Sequence, residues 1–500
     1  MVHSPTLVDA AFAALVVFLL KRILVRRKSP LPPGPRPWLG VFALPSGTDR
    51  EWCTYGKWAE KWGDITSITV FGQPVIVLNS LEAATQVLEK KSSIYSDRPT
   101  FQMCGELVGW KRGMALLAYG TPQFRRYRKY FHQLFGSHAN FSKFHPIEVD
   151  EYRKFLQRLL ESPESFLSHI HLTSSAVVLR ITYGYTVQSE HDPIVDLVNN
   201  AMAEFSECIT PGAFLVDLLP ILKYVPSWMP GAGFQRKAKV WADHVSQMLE
   251  EPFELVEKNL AQGSAQDSFV SVLLQQGLTA EEISDVKWSA GSIYGGGADT
   301  TVSAISTFFL QMALHPEIQV KAQAELDAVV GNHRLPVFED REHLPFVNAL
   351  CKEVLRYHPI GPMGLPHRAM EDDIHNGYLI PKGSLVLANI WNMMHNPEVY
   401  ANPMAFDPSR FIASDGHAAE PDPDVVFGLG RRVCPGKLFG DASVFMACAM
   451  TLSTFTISKK VENGVTIEPV EDYQPGTISQ PAPFVCSIKP RSSEAIALIS

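Results

Sequence analysis

The sequence predicts a mainly helical fold with a small β-sheet region at one side, and three observations predict it. From about Glu281 to His315 the apolar residues keep helical spacing, and Pro316 follows. A second apolar run at helical spacing follows Pro435: Leu438, Phe439, Val444, Phe445, Ala449 and Leu452. Strand-like stretches are short: Ile65 to Leu78, turning at Gly72-Gln73-Pro74, and two strands within Tyr378 to Ile390 around Pro381-Lys382-Gly383. The 500 residues are enough for several domains. No Gly/Ser linker or repeat divides them after residue 40, so residues 41–500 read as one large domain.

The N-terminus differs from this body. Leu7 to Leu20 is apolar except for Asp9, and Lys21, Arg22, Arg26, Arg27 and Lys28 follow. A cleaved signal peptide carries its charges before the apolar run, so residues 1–28 read as a transmembrane anchor. The cations place the body on the cytosolic side. Residues 29–40, with Leu31-Pro32-Pro33-Gly34-Pro35, read as a stiff hinge. Asn140-Phe141-Ser142 is a glycosylation sequon that this orientation keeps from the glycosylation machinery.

Further along, a helix is expected from about Leu81 to Lys90. Thr100 to Leu117 lacks a period but carries Phe101, Met103, Leu107, Trp110, Met114, Leu116 and Leu117. Such a segment walls a cavity or is an ordinary packed loop. Another helix starts at Phe124-Arg125-Arg126-Tyr127-Arg128-Lys129. Phe214 to Gly231 is apolar and too rich in proline for a long helix, either a buried crossover or a mobile roof. Within the long helix, Gly295-Gly296-Gly297 precedes Ala298-Asp299-Thr300-Thr301. Each interior glycine costs about 0.8–1 kcal/mol against alanine. Three together imply close helix packing or a bent segment that leaves room for a ligand. Glu353 and Arg356 stand at i and i+3 on a helix, where opposite charges meet. His358 and His395 precede Pro and Asn-Pro and read as turn residues.

Net charge is −8 with mixed signs, which argues against nucleic acid as a partner. The seven cysteines are scattered without a C-x-x-C pair, so neither a zinc ribbon nor a disulfide framework is indicated, and the compartment is reducing.

The most specific stretch is Phe427-Gly428-Leu429-Gly430-Arg431-Arg432-Val433-Cys434-Pro435-Gly436. Gly428 and Gly430 let the chain approach a flat partner closely, and Pro435 suits a first helical turn. Cys434 at a helix N-terminus is favoured as thiolate, a soft metal ligand. Arg432 is a natural partner for a carboxylate of the ligand.

This F-x-x-G-x-R-x-C-x-G stretch resembles the signature of the cytochrome P-450 superfamily. Four further motifs resemble that family in its order. Gly296-Gly297-Ala298-Asp299-Thr300-Thr301 resembles the oxygen-activation motif, Thr300 matching the hydroxyl that hydrogen-bonds dioxygen and Asp299 the acid of its proton relay. Glu353, Arg356 and, in Phe406-Asp407-Pro408-Ser409-Arg410-Phe411, Arg410 match a structural Glu-Arg-Arg triad. Arg128 and His367 match contacts to haem propionates, although Phe124 replaces the usual tryptophan before Arg128; for His367 a satisfied core histidine is an equal alternative. Pro359 to Pro366 resembles the strand facing the substrate.

The resemblance implies a helical prism with a small sheet, haem b with Cys434 as axial ligand, and cofactor contacts from Arg128, His367, Phe427, Arg432 and Gly436. It implies a substrate pocket of Phe101, Met103, Leu107, Gly296, Gly297, Ile360, Met363, Leu365 and Ile478. It further implies a monooxygenase in the endoplasmic reticulum membrane, using dioxygen and electrons from NADPH-cytochrome P-450 reductase, with cytochrome b5 as a second donor, since no flavin or nicotinamide signature occurs here. Arg125, Arg126 and Lys129 would receive that reductase. The substrate is an apolar small molecule (terpenoid, polyketide or aromatic), because the loop pattern and Trp228-Met229-Pro230-Gly231 are similar to fungal secondary-metabolism members of the O-methylsterigmatocystin oxidoreductase type. The rival readings are a haem-thiolate isomerase or dehydratase that needs no dioxygen, and a non-catalytic haem-binding sensor or carrier.

Overall fold

The computed structural model describes residues 29–35, 50–70, 72–189, 191–210, 212–414, 416 and 418–499. The anchor over 1–28 and much of the hinge over 29–40 lie outside the described residues. Among the described residues no helix is long and apolar enough to cross a membrane.

The long helix runs from Ala280 to Leu314 and forms the axis of the molecule. A capping box starts it: Thr279 Oγ1 accepts from Glu282 N, and Glu282 Oε2 accepts from Thr279 N at 2.9 Å. Pro316 opens the next helix, Pro316–Val329. Helices Phe166–Tyr183, Lys437–Thr454, Pro122–Phe135 and Gly233–Ala261 pack along it. Their shared apolar faces make one continuous core around Phe308, Phe309, Phe155 and Phe445.

The main sheet has four strands in the order Ile65–Val70, Gln73–Leu78, Leu385–Ala388, His367–Arg368. The hairpin pairs Ile65 with Leu78 and Val70 with Gln73. Gln73–Leu78 runs parallel to Leu385–Ala388, and His367 pairs antiparallel with Val386. The two strands expected within Tyr378 to Ile390 exist but belong to different sheets: Tyr378–Ile380 pairs with Asp373–His375 instead. The helix after Leu81 is α only to Ala84 and continues as a π-helix over Thr85–Lys90.

The three glycines do not break the long helix. A Cβ on Gly295 would lie 2.6 Å from Met202 Sδ, and one on Gly297 2.9 Å from Val178 Cγ2 and 3.2 Å from Phe439 Cε1. A Cβ on Gly296 would meet nothing within 4 Å. Close packing thus explains the outer two glycines, and open space the middle one.

The Glu-Arg-Arg triad is buried. Arg356 Nε and Nη2 donate to the two Glu353 oxygens at 2.6 and 2.8 Å, and Arg410 Nε donates to Glu353 Oε1 at 3.2 Å. Arg356 also donates to the carbonyls of Met394, Pro403 and Ala405, fixing the loop over 394–405. His358 and His395 each follow a helix end, His358 in a bend and His395 in a turn, and both side chains are engaged: His358 is buried, stacked 3.6 Å from Tyr473 with Nε2 2.8 Å from Ser479 Oγ, and His395 stacks on Trp391.

Candidate active site

The cysteine loop is closed by Cys434 N donating to Phe427 O at 2.8 Å. Gly428 and Gly430 have φ of +82° and +62°. A Cβ on Gly430 would fall 2.2 Å from Leu88 O, so no other residue fits. The helix begins at Lys437 with Gly436 as its cap, so Pro435 lies before the first turn rather than within it.

The Cys434 side chain is exposed to a cavity of about 390 Å³ onto which it opens. Burial raises its thiol pKa, against the opposing pull of the Gly436 N–H and of Arg128. Burial thus works against the helix dipole, and a bound metal ion would favour loss of the proton.

One wall of the cavity is cationic. Arg98, Arg128, Arg432 and His367 line it, and among the described residues no Asp or Glu does. Arg128 Nη1 donates to Val433 O at 2.9 Å. Arg432 Nε and Nη2 donate to Ser96 O and Leu117 O at 2.7 and 2.6 Å, and its guanidinium lies 4.3 Å from the Phe124 ring centre. The phenylalanine in place of tryptophan thus supplies a cation–π platform. Arg98, which sequence reasoning missed, donates to the carbonyls of Ala115, Leu365 and Pro366. Burial, then Arg432, pushes the Arg98 pKa down to about 9, and burial pushes Arg432 to about 10. His367 Nδ1 donates to Tyr95 O at 2.7 Å, and burial holds its pKa well below the usual range. Its core bonding and its place on the cavity wall reconcile the two alternatives.

The long helix contributes the opposite wall: Gly296, Gly297, Thr300, Thr301 and Ala304. Thr300 Oγ1 donates to Gly296 O at 2.7 Å, and Thr301 Oγ1 to Gly297 O at 2.8 Å. Phe427 and Gly436 line the cavity beside Cys434, and Ile360, Leu365 and Ile478 close it.

Four expected pocket residues do not line this cavity. Phe101, Met103 and Leu107 belong to a segment that folds as a π-helix over Gln102–Leu107. Asp217 accepts from the Gln102 and Met103 amides and holds it against the core, with Met103 fully buried. Met363 packs with Trp52, Val77 and Leu387 near the sheet. The walls come instead from Trp110, Gly113, Met114, Ala115, Met202 and Phe205. Trp110 meets Phe205 edge-on at 4.9 Å and Trp288 at 6.4 Å.

Asp299 also departs from expectation: it lies in a separate, more open hollow with His171, Asn199 and Gln474. Burial pushes its carboxyl pKa up to about 6.

A thiol facing one cavity, with three guanidiniums and, among the described residues, no carboxylate on its wall, fits a planar metal complex bearing two acidic side arms. Arg98, Arg128 and Arg432 on that wall would pair with such arms. These features define a haem-thiolate protein. The chain belongs to the cytochrome P450 family: the family model "Cytochrome P450" matches residues 30–485. It is 52% identical over 499 residues to cytochrome P450 monooxygenase 208 of Postia placenta, covering 98% of this chain and 97% of that one. It is 45% identical over 500 residues to cytochrome P450 monooxygenase claR of Ampulloclitocybe clavipes, with 99% and 92% covered. It is 38% identical over 504 residues to O-methylsterigmatocystin oxidoreductase of Aspergillus flavus, with 98% and 94% covered. The protein is a cytochrome P450 monooxygenase.

Proposed function

We propose that this monooxygenase hydroxylates a C–H bond of an apolar small molecule, a fungal secondary metabolite of terpenoid, polyketide or aromatic type, with haem b held by Cys434. When bound, a haem with a thiolate ligand supplies the activation of dioxygen, one atom entering the substrate and the other leaving as water. Arg98, Arg128, Arg432 and His367 would hold its propionates. The carrying observation is that these four basic groups share a cavity with Cys434 and no acidic residue. Gly296 leaves room beside Thr300, whose hydroxyl passes protons to the reacting oxygen. The apolar walls from Trp110, Phe205, Ile360 and Leu365 exclude water and orient an apolar substrate. The resemblance to a relative named O-methylsterigmatocystin oxidoreductase supports a secondary-metabolite substrate.

Electrons would come from NADPH-cytochrome P-450 reductase, with cytochrome b5 as a second donor. Arg125 and Lys129 are exposed and free to receive an acidic partner. Arg126 is paired with Asp285 and Glu281, so it contributes less. Placement on the endoplasmic reticulum membrane, with a transmembrane anchor over 1–28 and a cytosolic body, is supported by the N-terminal apolar run and its trailing cations. A second support is the exposure of Leu215, Leu219, Ile221, Tyr224 and Trp228. Five exposed apolar side chains within one short segment suit an apolar surface. The test is reconstitution with reductase and NADPH under labelled dioxygen: one labelled atom in a product supports the reading, and turnover without oxygen uptake overturns it.

A further inference from the structure

The inner cavity has no proton source of its own. Its guanidiniums do not release protons at neutral pH, its hydroxyls only pass them on, and His367 is tied to Tyr95 and neutral. Each monooxygenation consumes two protons with two electrons and one dioxygen. They must enter from outside.

The outer hollow lies on the other side of Asp299. His171 on helix Phe166–Tyr183, Asn199 and Ser206 on helix Pro193–Ile209, and Gln474 and Gln480 on the terminal loop line it with Asp299. Met202 and Ile478 line both spaces, so they form the partition between them. Among the described residues neither Asp299 nor His171 has a hydrogen-bond or ion-pair partner, which leaves both free to exchange protons with water.

We propose that this hollow is the proton port of the enzyme, and that His171 takes protons from solvent and hands them to Asp299. The inference rests on the monooxygenase reading above and names the residue behind its relay. His171 is a positioning residue that acts through Asp299. In each transfer the Asp299 O–H bond breaks, and its proton moves through water to the Thr300 hydroxyl oxygen. Thr300 releases its own proton to the reacting oxygen. The carboxylate is then reprotonated from the His171 imidazolium, which recovers a proton from water in the hollow; no electron moves. Burial raises the Asp299 carboxyl to about 6 and lowers the His171 imidazole below its ordinary value. The other titratable groups around Asp299 are Glu207 across the hollow and Tyr294 on its own helix. The terminal loop offers only neutral side chains there.

The test uses the full-length haem-loaded enzyme with its reductase, comparing wild type with His171→Gln, His171→Phe, His171→Glu and Asp299→Asn. Each variant's fold is checked by its thiolate-type carbonyl spectrum. His171→Gln and His171→Phe should lower product formed per NADPH by about tenfold and enlarge the solvent deuterium isotope effect. His171→Glu, which titrates, should recover part of the loss. Independently of turnover, the His171 ring nitrogens followed by NMR should show an inflection at the Asp299 titration that Asp299→Asn removes. Wild-type coupling and isotope effect in His171→Gln and His171→Phe would overturn the port, as would a His171 titration indifferent to Asp299→Asn. A wild-type enzyme that takes up no oxygen would instead overturn the monooxygenase reading.

Discussion

Asp299 and Thr300 are neighbours in the chain but open into different spaces: Thr300 onto the cavity of Cys434, Asp299 onto the outer hollow. Removing either should therefore fail differently. Thr300→Ala should leave NADPH consumption high while product falls, with reduced oxygen released as peroxide. Asp299→Asn should slow turnover itself, on the order of 10²-fold for loss of one proton-transfer group. Parallel measurement of NADPH, peroxide and product checks this. If Thr300→Ala left both rate and coupling unchanged, the isomerase or dehydratase reading would take over.

Gly296 and Gly297 are also adjacent and also distinct. Gly296→Ala meets no atom within 4 Å, so it should stabilise the helix by up to about 1 kcal/mol while shrinking the cavity. Gly297→Ala pushes on Val178 and Phe439 and should cost about 1–3 kcal/mol. Thermal unfolding of the two variants should shift in opposite directions, and only Gly296→Ala should weaken substrate binding in a well-folded protein.

The Glu353–Arg356–Arg410 cluster has essentially no solvent contact. Glu353→Gln leaves the buried Arg356 guanidinium without a countercharge and Arg410 with Glu420 alone, a loss of about 3–5 kcal/mol for a broken buried pair. The expected outcome is protein that accumulates poorly and retains little haem. A Glu353→Gln variant with wild-type stability would show that the carbonyl contacts of the two arginines suffice.

Stability should fall on acidification. Burial holds His358 at about 3 and His395 at about 4. The unfolded chain therefore binds more protons than the folded one once pH drops below the ordinary value of 6.5, and stability is lost from there down to those values. Glu148, buried and pushed up to about 8, runs the other way: stability present below its ordinary value of 4.5 is lost as pH rises toward 8. Urea unfolding across pH 4–8 checks both limbs. His358→Phe should flatten the acid limb, and Glu148→Gln the alkaline one.

The sequence revealed the helices, the cysteine loop and the triad because each has a local signature: periodicity, a glycine pattern, an i,i+3 charge pair. The cavity wall was less legible. Met103 looks like a pocket residue in a loop without a period, but its place is set by Asp217, more than a hundred residues away. Arg98 was missed because Asp97-Arg98-Pro99 has no helical or strand period; only the fold brings it beside Arg432. The direction Asp299 faces depends on which helices flank the long one, and no spacing within a single helix records that. Phe124 could be read as a lost hydrogen-bond donor, but not as a platform for Arg432, since that contact joins segments about three hundred residues apart.

The central claim is that Cys434 is the sulfur ligand to the haem iron, and the carbonyl spectrum of the reduced protein tests it most directly. Wild-type protein should show the thiolate-type band, and Cys434→Ser should lose it while keeping its helical content. A thiolate-type band that persists in Cys434→Ser would contradict the assignment.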